Sequence, residues 1–507
     1  MKVDKVKNTK RGIVYGLVNK MVTLILPFFV QTIMIKTLGV EYVGIKGVFT
    51  SILSVLSLTE LGIGSAIVYN MYKPIAEDDI ETIGALLQLY KKLYRMIGFT
   101  VLVLGLLITP FLSCFIKDGY PESIDLRDIF ILYLGNTVIS YWMYAYKAAL
   151  LNAYQRVDII SNIGTITQAL MSCFQILFLI VTRNFYVFLW ISIAFTIVNN
   201  IITSVCVDKM YPEIRCEGRI TKTLKKSIKK NVAGLVISKV CGTTRNTFDS
   251  IFMSMFLGLT QAAIYSNYFY ILSALNGFTN IILSSLLAGI GNSVVIETKN
   301  YNYRKMMILN TAYMTISGWM AICMLCLYQP FMELWVGREL LFPGYVMVLF
   351  PLYFYMGKLG DIRGVYADAA GLFWENRYRT LLEALANLIL NYLFVKKWGA
   401  FGIMLATIIT LFFIGFLGST IVIFKHYFKV GMKKYLMNQI SYLFATCIAG
   451  IITYFICSWM EMDSIIGTLI LRIVICLTIA PFLLYMLVGW RKDFKESCSW
   501  LYGVLRK

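Results

Sequence analysis

The amino-acid sequence predicts an all-α polytopic membrane protein of about fourteen transmembrane helices, two repeat-related six-helix bundles followed by two C-terminal helices. Three observations carry that reading. Of 507 residues, 59% are apolar and 15% charged, where soluble domains carry about 25% charged residues. Mean hydropathy is +0.71, so the chain lacks the polar shell that a soluble fold of this size needs, and the bilayer must be its solvent. Uncharged runs recur at the length of a membrane span, and the opening of the chain is echoed in its second half.

A hydrocarbon core of about 30 Å takes roughly 20 helical residues. Uncharged runs of that order are Met96–Ile116, Ile129–Tyr146, Ile159–Thr182, Asn184–Val207, Met306–Met332, Trp398–Phe424 and Tyr435–Met460. Ser250–Ile296 holds no charge at all and must contain two spans, broken near Gly258-Leu-Thr-Gln261. With the charge-bearing segments added, the expected helices are 12–36, 43–70, 96–116, 128–150, 158–182, 184–207, 232–257, 262–294, 306–330, 344–365, 379–396, 400–424, 436–459 and 465–489.

The net charge is +20, from 47 Lys and Arg against 27 Asp and Glu. In a membrane protein such an excess reads first as topology, because cytoplasmic loops collect Lys and Arg. Basic residues cluster at the N-terminus (Lys2, Lys5, Lys7, Lys10, Arg11), in 208–230, in the 425–434 turn, and in the tail from Arg491. Both termini of this multi-pass protein are therefore expected in the cytoplasm, which requires an even number of spans. Trp335, Trp398 and Trp459 fall at outer helix ends and Trp490 at an inner one, as an aromatic belt requires. The first apolar stretch is too long for a signal peptide and has no small-residue cleavage site.

The eleven cysteines suggest no disulfide or zinc framework. Cys173, Cys241, Cys447 and Cys476 sit in apolar runs, where cysteine behaves as a small hydrophobe. Cys323-Met-Leu-Cys326 has the spelling of a CxxC pair but no second pair and no nearby histidine; His426 is the single histidine. No metal site, cofactor or catalytic residue is expected. Outer loops are too short for a catalytic domain, which argues against an enzyme such as a membrane glycosyltransferase or polysaccharide polymerase.

A duplication with an offset near 219 residues organises the chain. Gly16-Leu-Val18 recurs as Gly234-Leu-Val236, Leu38-Gly39 as Leu257-Gly258, and Ile52-Leu-Ser-Val-Leu56 as Ile271-Leu-Ser-Ala-Leu275. This sets helices 1 and 2 on helices 7 and 8, a parallel repeat in which both halves enter the membrane from one side. The resulting division is an N-terminal bundle, 1–207; a basic cytoplasmic linker, 208–230; a C-terminal bundle, 231–425; and two additional helices with a basic tail, 426–507.

Charges inside spans are the candidate functional residues, since such groups are costly in hydrocarbon and usually face a bundle interior or wet cavity. In helix 1, Lys20, Thr23, Pro27 and Gln31 share one narrow arc at about 100° per residue. In helix 7, Lys239, Thr243, Asn246 and Ser250 do the same, flanked by Arg245 and Asp249. Helix 2 aligns Lys46, Thr50, Ser57 and Glu60, answered in helix 8 by Asn276 and Thr279. Either Lys20 snorkels to the cytoplasmic interface and Arg245–Asp249 is a structural pair, or helices 1, 2, 7 and 8 line one cavity. In that cavity Lys20, Lys46, Lys239 and Arg245 against Glu60 and Asp249 leave a net positive charge, suited to a phosphate or pyrophosphate head group. Gln31, Glu60, Asn246, Asp249 and Asn276 are its expected polar or coupling residues. Lys358, Asp361 and Arg363 read as interfacial salt bridging. Lys222, Lys225, Lys226, Lys229 and Lys230 fit anionic lipid or topology equally well.

Longer words add a family resemblance. Met71-Tyr-Lys-Pro-Ile-Ala-Glu-Asp-Asp-Ile80 is followed by Leu89-Tyr-Lys-Lys-Leu-Tyr-Arg95. Arg245-Asn-Thr-Phe-Asp249 precedes Ile264-Tyr-Ser-Asn-Tyr268. Gly371-Leu-Phe-Trp-Glu-Asn-Arg-Tyr-Arg379 leads to Glu383-Ala-Leu-Ala-Asn387 and Trp398-Gly-Ala-Phe-Gly-Ile403. In order and spacing, from about 10 to 490, the chain resembles bacterial polysaccharide-transport flippases of the multidrug/oligosaccharidyl-lipid/polysaccharide exporter superfamily. The resemblance implies a V-shaped pair of six-helix bundles that translocates undecaprenyl-pyrophosphate-linked oligosaccharide for O-antigen, capsule or exopolysaccharide, with the polymerase and glycosyltransferases of that pathway as further partners. It also implies a cationic cavity, to which Lys20, Lys239 and Arg245 are the candidates. A cation-coupled multidrug and toxin antiporter of the same superfamily is the nearest alternative. That class uses an intramembrane carboxylate in its first bundle; helix 1 here has none, and Glu60 in helix 2 is the closest substitute. A lipid II flippase differs only in substrate.

Overall fold

The computed structural model describes residues 5–60, 63–117, 119–218, 220, 247–460 and 462–505. Among them there is no strand, and the chain divides into two compact units, Met1–Ala263 and Ile264–Lys507. Nine helices are long and apolar enough to cross a membrane, counted among the described residues. One of them, Trp374–Phe428, is long enough for two spans and loses helical geometry at Gly399, where φ is +56°. Three further expected spans are assembled from shorter pieces over 40–76, 126–153 and 344–369. A fourth contains Thr247–Leu257, the rest of it lying outside the described residues.

Unit 1 is built from α1 (Lys5–Thr37), α2 (Val40–Leu56), α3 (Ile63–Ala76), α4 (Ile80–Ile108), α5 (Leu126–Trp142), α6 (Ala148–Ala153), α7 (Val157–Thr182) and α8 (Phe185–Met210). It closes on α9 (Thr247–Leu257) and the start of α10 (Leu259–Ile296). In its core α1 lies along α7, α7 along α8, α4 along α5 and α5 along α8. Asn19 ties α1 to α7, donating to the Ser161 carbonyl and the Thr165 hydroxyl at 3.1 Å each. Polar loop residues start the helices. Asp79 accepts from the Thr82 N–H at 3.0 Å, a cap that satisfies an orphan donor; hydrogen bonds from Thr82 also hold its carboxyl below the usual range.

The repeated Leu-Gly words are helix corners. Gly39 (φ +117°) separates α1 from α2, and Gly258 (φ +89°) separates α9 from α10, conformations that glycine adopts without a Cβ penalty. Gly44 has a different reason: a Cβ there would stand 2.4 Å from the Leu259 carbonyl oxygen, so the close approach of α2 to this corner requires a missing side chain.

Unit 2 turns about α11 (Lys299–Val336), which packs against α13 (Leu349–Lys358), α17 (Lys433–Trp459), α18 (Ile465–Val488) and α19 (Lys492–Leu505). Around it run α12 (Gly344–Met347), α14 (Asp361–Ala369), α15 (Phe373–Thr410) and α16 (Ser419–Ile423). The stretches Leu411–Gly418 and Phe424–Phe428 are π-helical, wide turns that recur at functional sites.

Two expectations are corrected. The spans 43–70, 128–150 and 344–365 are not continuous helices. They break after Leu56, after Trp142 and after Lys358, and at the last of these side chains from another helix satisfy what the break releases. There the Leu359 carbonyl accepts from Tyr435 Oη at 3.0 Å and Gln439 Nε2 at 2.8 Å. Exposed backbone at membrane depth is tolerated only with such partners. The segment after 490, read as a tail, contains the helix α19, held to α11 by Ser497 Oγ donating to the Ile308 carbonyl at 2.7 Å and by Arg304–Glu496 at 3.0 Å.

Candidate functional site

Inside unit 1, α1, α2, α5, α7 and α8 enclose a cavity of about 280 Å³. Among the described residues, Lys46 of α2 is the basic side chain on its wall and no Asp or Glu lines it. The polar groups beside it are neutral: Tyr133 and Asn136 from α5, Gln168 and Gln175 from α7, Ser192 and Thr196 from α8. Gln175 Nε2 donates to Ser192 Oγ at 2.9 Å. The Tyr133 hydroxyl and Asn136 Oδ1 are buried with no hydrogen-bond partner among the described residues. A buried polar atom left this way is costly unless water or a ligand completes it, so the cavity is a polar space with unused hydrogen-bonding capacity. Pro27 places α1 on the same wall.

Glu60 lies outside this cavity, at the break after α2. Its two oxygens accept separately, Oε1 from Tyr94 Oη at 2.7 Å and Oε2 from Tyr141 Oη at 2.6 Å. Tyr90 completes the chain by donating to Tyr94 at 2.7 Å. Phenols from α4 and α5 thus hold a carboxylate where the helix has opened, and the cluster joins three elements across the break.

The structure separates residues that the sequence grouped. Lys20 is exposed on α1 and is not on the Lys46 cavity wall; the Thr23 hydroxyl beside it returns to the Asn19 and Lys20 carbonyls at 2.8 and 3.1 Å. Gln31 is 5% and Asp249 1% exposed, so both are interior groups. Asn276 is half-buried, its carbonyl accepting from the Thr279 hydroxyl at 3.0 Å. Lys239, Arg245 and Asn246 lie outside the described residues, as do Lys222, Lys225, Lys226, Lys229 and Lys230.

In unit 2 the salt bridging expected around residue 360 is present, with the cation buried in the protein. Lys358 Nζ lies 3.4 Å from Asp361 Oδ2 with its side chain 7% exposed, and Tyr313 Oη donates to the same oxygen at 2.5 Å. Arg363, 4% exposed, stacks over the Phe416 ring at 5.8 Å. One residue class escaped the sequence reading. Lys147 of the 3₁₀ turn Ala145–Lys147 pairs with Asp208 at 2.6 Å, and Arg379 of α15 with Glu383 at 2.6 Å. The signal was available for Lys147, which ends the uncharged run of its span, and absent for Arg379, whose partner one turn on looks like an ordinary surface pair.

Two bundles of membrane-length helices, with breaks inside spans and polar groups gathered at them, define a polytopic membrane transporter fold. The chain belongs to the polysaccharide biosynthesis protein family, whose model matches residues 9–288. Its fold is similar to that of a lipid II flippase, MurJ, in an inward closed conformation, with a TM-score of 0.63 at 15% identity over 94% of this chain and 98% of that one. An inward-facing multidrug resistance transporter of the MATE family gives 0.59 at 15% identity, covering 82% and 98%. A transporter of the same superfamily from Pyrococcus furiosus, described by a reversed polarity of its binding pocket, gives 0.55 at 14% identity, covering 84% and 97%. No curated protein matches the sequence.

Proposed function

We propose that the protein is a flippase that translocates undecaprenyl-pyrophosphate-linked oligosaccharide repeat units across the bacterial plasma membrane, by alternating access, for surface polysaccharide synthesis. Family membership sets the class, and the observation that supports the finer reading is Lys46: among the described residues, the cavity of unit 1 has a cation and no carboxylate on its wall. An antiporter coupled to a cation needs the reverse. An ammonium with neutral donors suits a phosphoryl oxygen. A volume of about 280 Å³ is at the small end of ligand pockets, room for a phosphoryl group but not for an oligosaccharide. Each unpaired sugar hydroxyl costs about 2–7 kcal/mol in hydrocarbon, so the head group requires a wet path while the polyprenyl chain stays in lipid. Lys239 and Arg245 remain the proposed companions of Lys46 on the pyrophosphate. Lys20, off this wall, is proposed to meet the head group elsewhere on its path, and the activity is transport without a catalytic step.

The test is export of lipid-linked oligosaccharide beside membrane-fraction protein level. Lys46→Ala should lower export about 10–100-fold, the loss of one charge-assisted hydrogen bond of about 1.5–3 kcal/mol, at unchanged protein level. Lys46→Arg should keep part of it. Unaltered export by Lys46→Ala overturns the role of this residue. Both termini are proposed to be cytoplasmic. Cysteine placed at Tyr120 should then react with an impermeant maleimide in intact cells, and cysteine at Asn300 should not.

Glu60 favours a second reading, cation coupling. Its clamp by Tyr94 and Tyr141 fits a structural role better, so Glu60→Gln should retain most export. Loss of ion-driven uptake in vesicles with loss of export would select the antiporter. Uptake of lipid II instead of polysaccharide precursor would select the peptidoglycan substrate.

A further inference from the structure

Three helices of unit 2 each bring one cysteine sulfur to the same point. The Sγ atoms of Cys326 on α11, Cys457 on α17 and Cys476 on α18 all lie within 4.8 Å of one another. The residues are 0%, 0% and 1% exposed, among Ile322, Ala449, Ile475 and Ala480. A fourth thiol, Cys323, one turn before Cys326, packs against the same cluster. Arg472, one turn before Cys476, is buried and donates to the Cys326 carbonyl at 3.0 Å. The sequence reading treated these cysteines as separate small hydrophobes, and the CxxC pair as lacking partners. The partners exist, on the two additional helices.

Packing as a small hydrophobe accounts for one buried cysteine at a time. It does not account for three sulfurs from three helices meeting beside a guanidinium, a group that costs several kcal/mol in a membrane interior. We propose that Cys326, Cys457 and Cys476 bind a divalent thiophilic ion of the Zn(II) and Cd(II) class, which staples α17 and α18 to α11. Metal–sulfur bonds of about 2.3 Å set ligand sulfurs about 3.8–4.0 Å apart, so the thiols need to close by less than about 1 Å, within side-chain rotation. Three thiols bind one ion with release of three protons. The resulting anion, of charge −1, is neutralised by Arg472, whereas a monovalent ion would leave a net charge in the apolar interface. Cys323, packed against the cluster, is the candidate for a fourth ligand bound as a neutral thiol, since a fourth thiolate would raise the anion to −2 and exceed the charge of Arg472.

The experiment uses the full chain, purified in detergent with a thiol reductant and no chelator. Cd(II) titration should develop the thiolate-to-metal absorbance and saturate at about one ion per chain, as for a structural thiolate site. Cys326→Ala, Cys457→Ala and Cys476→Ala should each abolish that signal, and Cys447→Ala, at an exposed position of α17, should not. Arg472→Gln should weaken Cd(II) about 10–100-fold, as outer-shell changes do. Cys323→Ala distinguishes coordination: a weakened site has four sulfurs, an unchanged one three. If the triad variants fail to fold, the wild-type chain decides alone, since bound Cd(II) should protect Cys326, Cys457 and Cys476 from maleimide in mild denaturant. A folded chain with no Cd(II) signal and no protection overturns the proposal, as does a site that takes Cu(I) but neither divalent ion.

Discussion

The fourth helix of each repeat breaks at the same place, and the two breaks are neutralised in different ways. In unit 1, α5 stops at Trp142, Tyr144 turns at φ +58°, and the chain resumes through 145–147 into α6. In unit 2, α13 stops at Lys358 and α14 resumes at Asp361. One residue separation relates Lys147 to Arg363, Gln155 (φ +58°) to Gly371 (φ +71°) and the start of α7 to the start of α15. The backbone is thus repeated in detail. Its charges are not. Lys147 reaches a carboxylate, Asp208, that is 61% exposed. Arg363 and Lys358 are buried, among Phe416, Tyr435, Phe354 and Asp361. The comparison teaches that the duplicated chain path preserved where a span opens, while each unit found its own way to pair the cation at the opening.

Substitutions at the two breaks sharpen this contrast. Asp361→Ala should have the largest effect, about 3–5 kcal/mol of stability, because it strands a buried Lys358; thermal unfolding in detergent measures it. A loss below 1 kcal/mol would mean that the break in unit 2 is as solvated as that in unit 1. Gln439→Ala should cost about 1–3 kcal/mol, since it removes donors to the Leu359 carbonyl and to Asn310 Oδ1, at 2.8 and 2.9 Å. The replacement Gln439→Glu, which keeps the acceptor and loses the donors, should not rescue it.

Gly371→Ala and Gln155→Gly should move stability in opposite directions. A left-handed residue with a Cβ costs about 1–2 kcal/mol, so the alanine destabilises; glycine at 155 relieves the same strain against its greater unfolded-state entropy, for a smaller net gain. Equal signs would break the equivalence of the two turns. Asp208→Asn should be smallest, about 0.2–1 kcal/mol as for exposed pairs, and salt should reduce it further. A loss several times larger would place the Lys147 pair in a drier setting than its exposure indicates.

Much of the fold was legible because its signals are local. Apolar run lengths gave the spans, and the Leu38-Gly39 and Leu257-Gly258 words marked corners that need positive φ. Of the site, the charges inside spans were legible, but not their company. Lys20 and Lys46 carry the same charge within expected spans, and only the tertiary packing leaves one exposed and the other on a cavity wall. Lys239 and Arg245 remain sequence-level candidates, being outside the described residues.

By itself the sequence determined the solvent of this protein, the number and order of its membrane segments, and the family it belongs to, because hydropathy, charge placement and corner glycines act over a few residues. The tertiary structure decided where spans break and which polar groups meet. An opened helix in hydrocarbon is stable only if distant side chains satisfy its carbonyls, as Tyr435 and Gln439 do for Leu359. The same holds for three cysteines on three helices, whose encounter depends on how those helices pack and is written in no single stretch of chain.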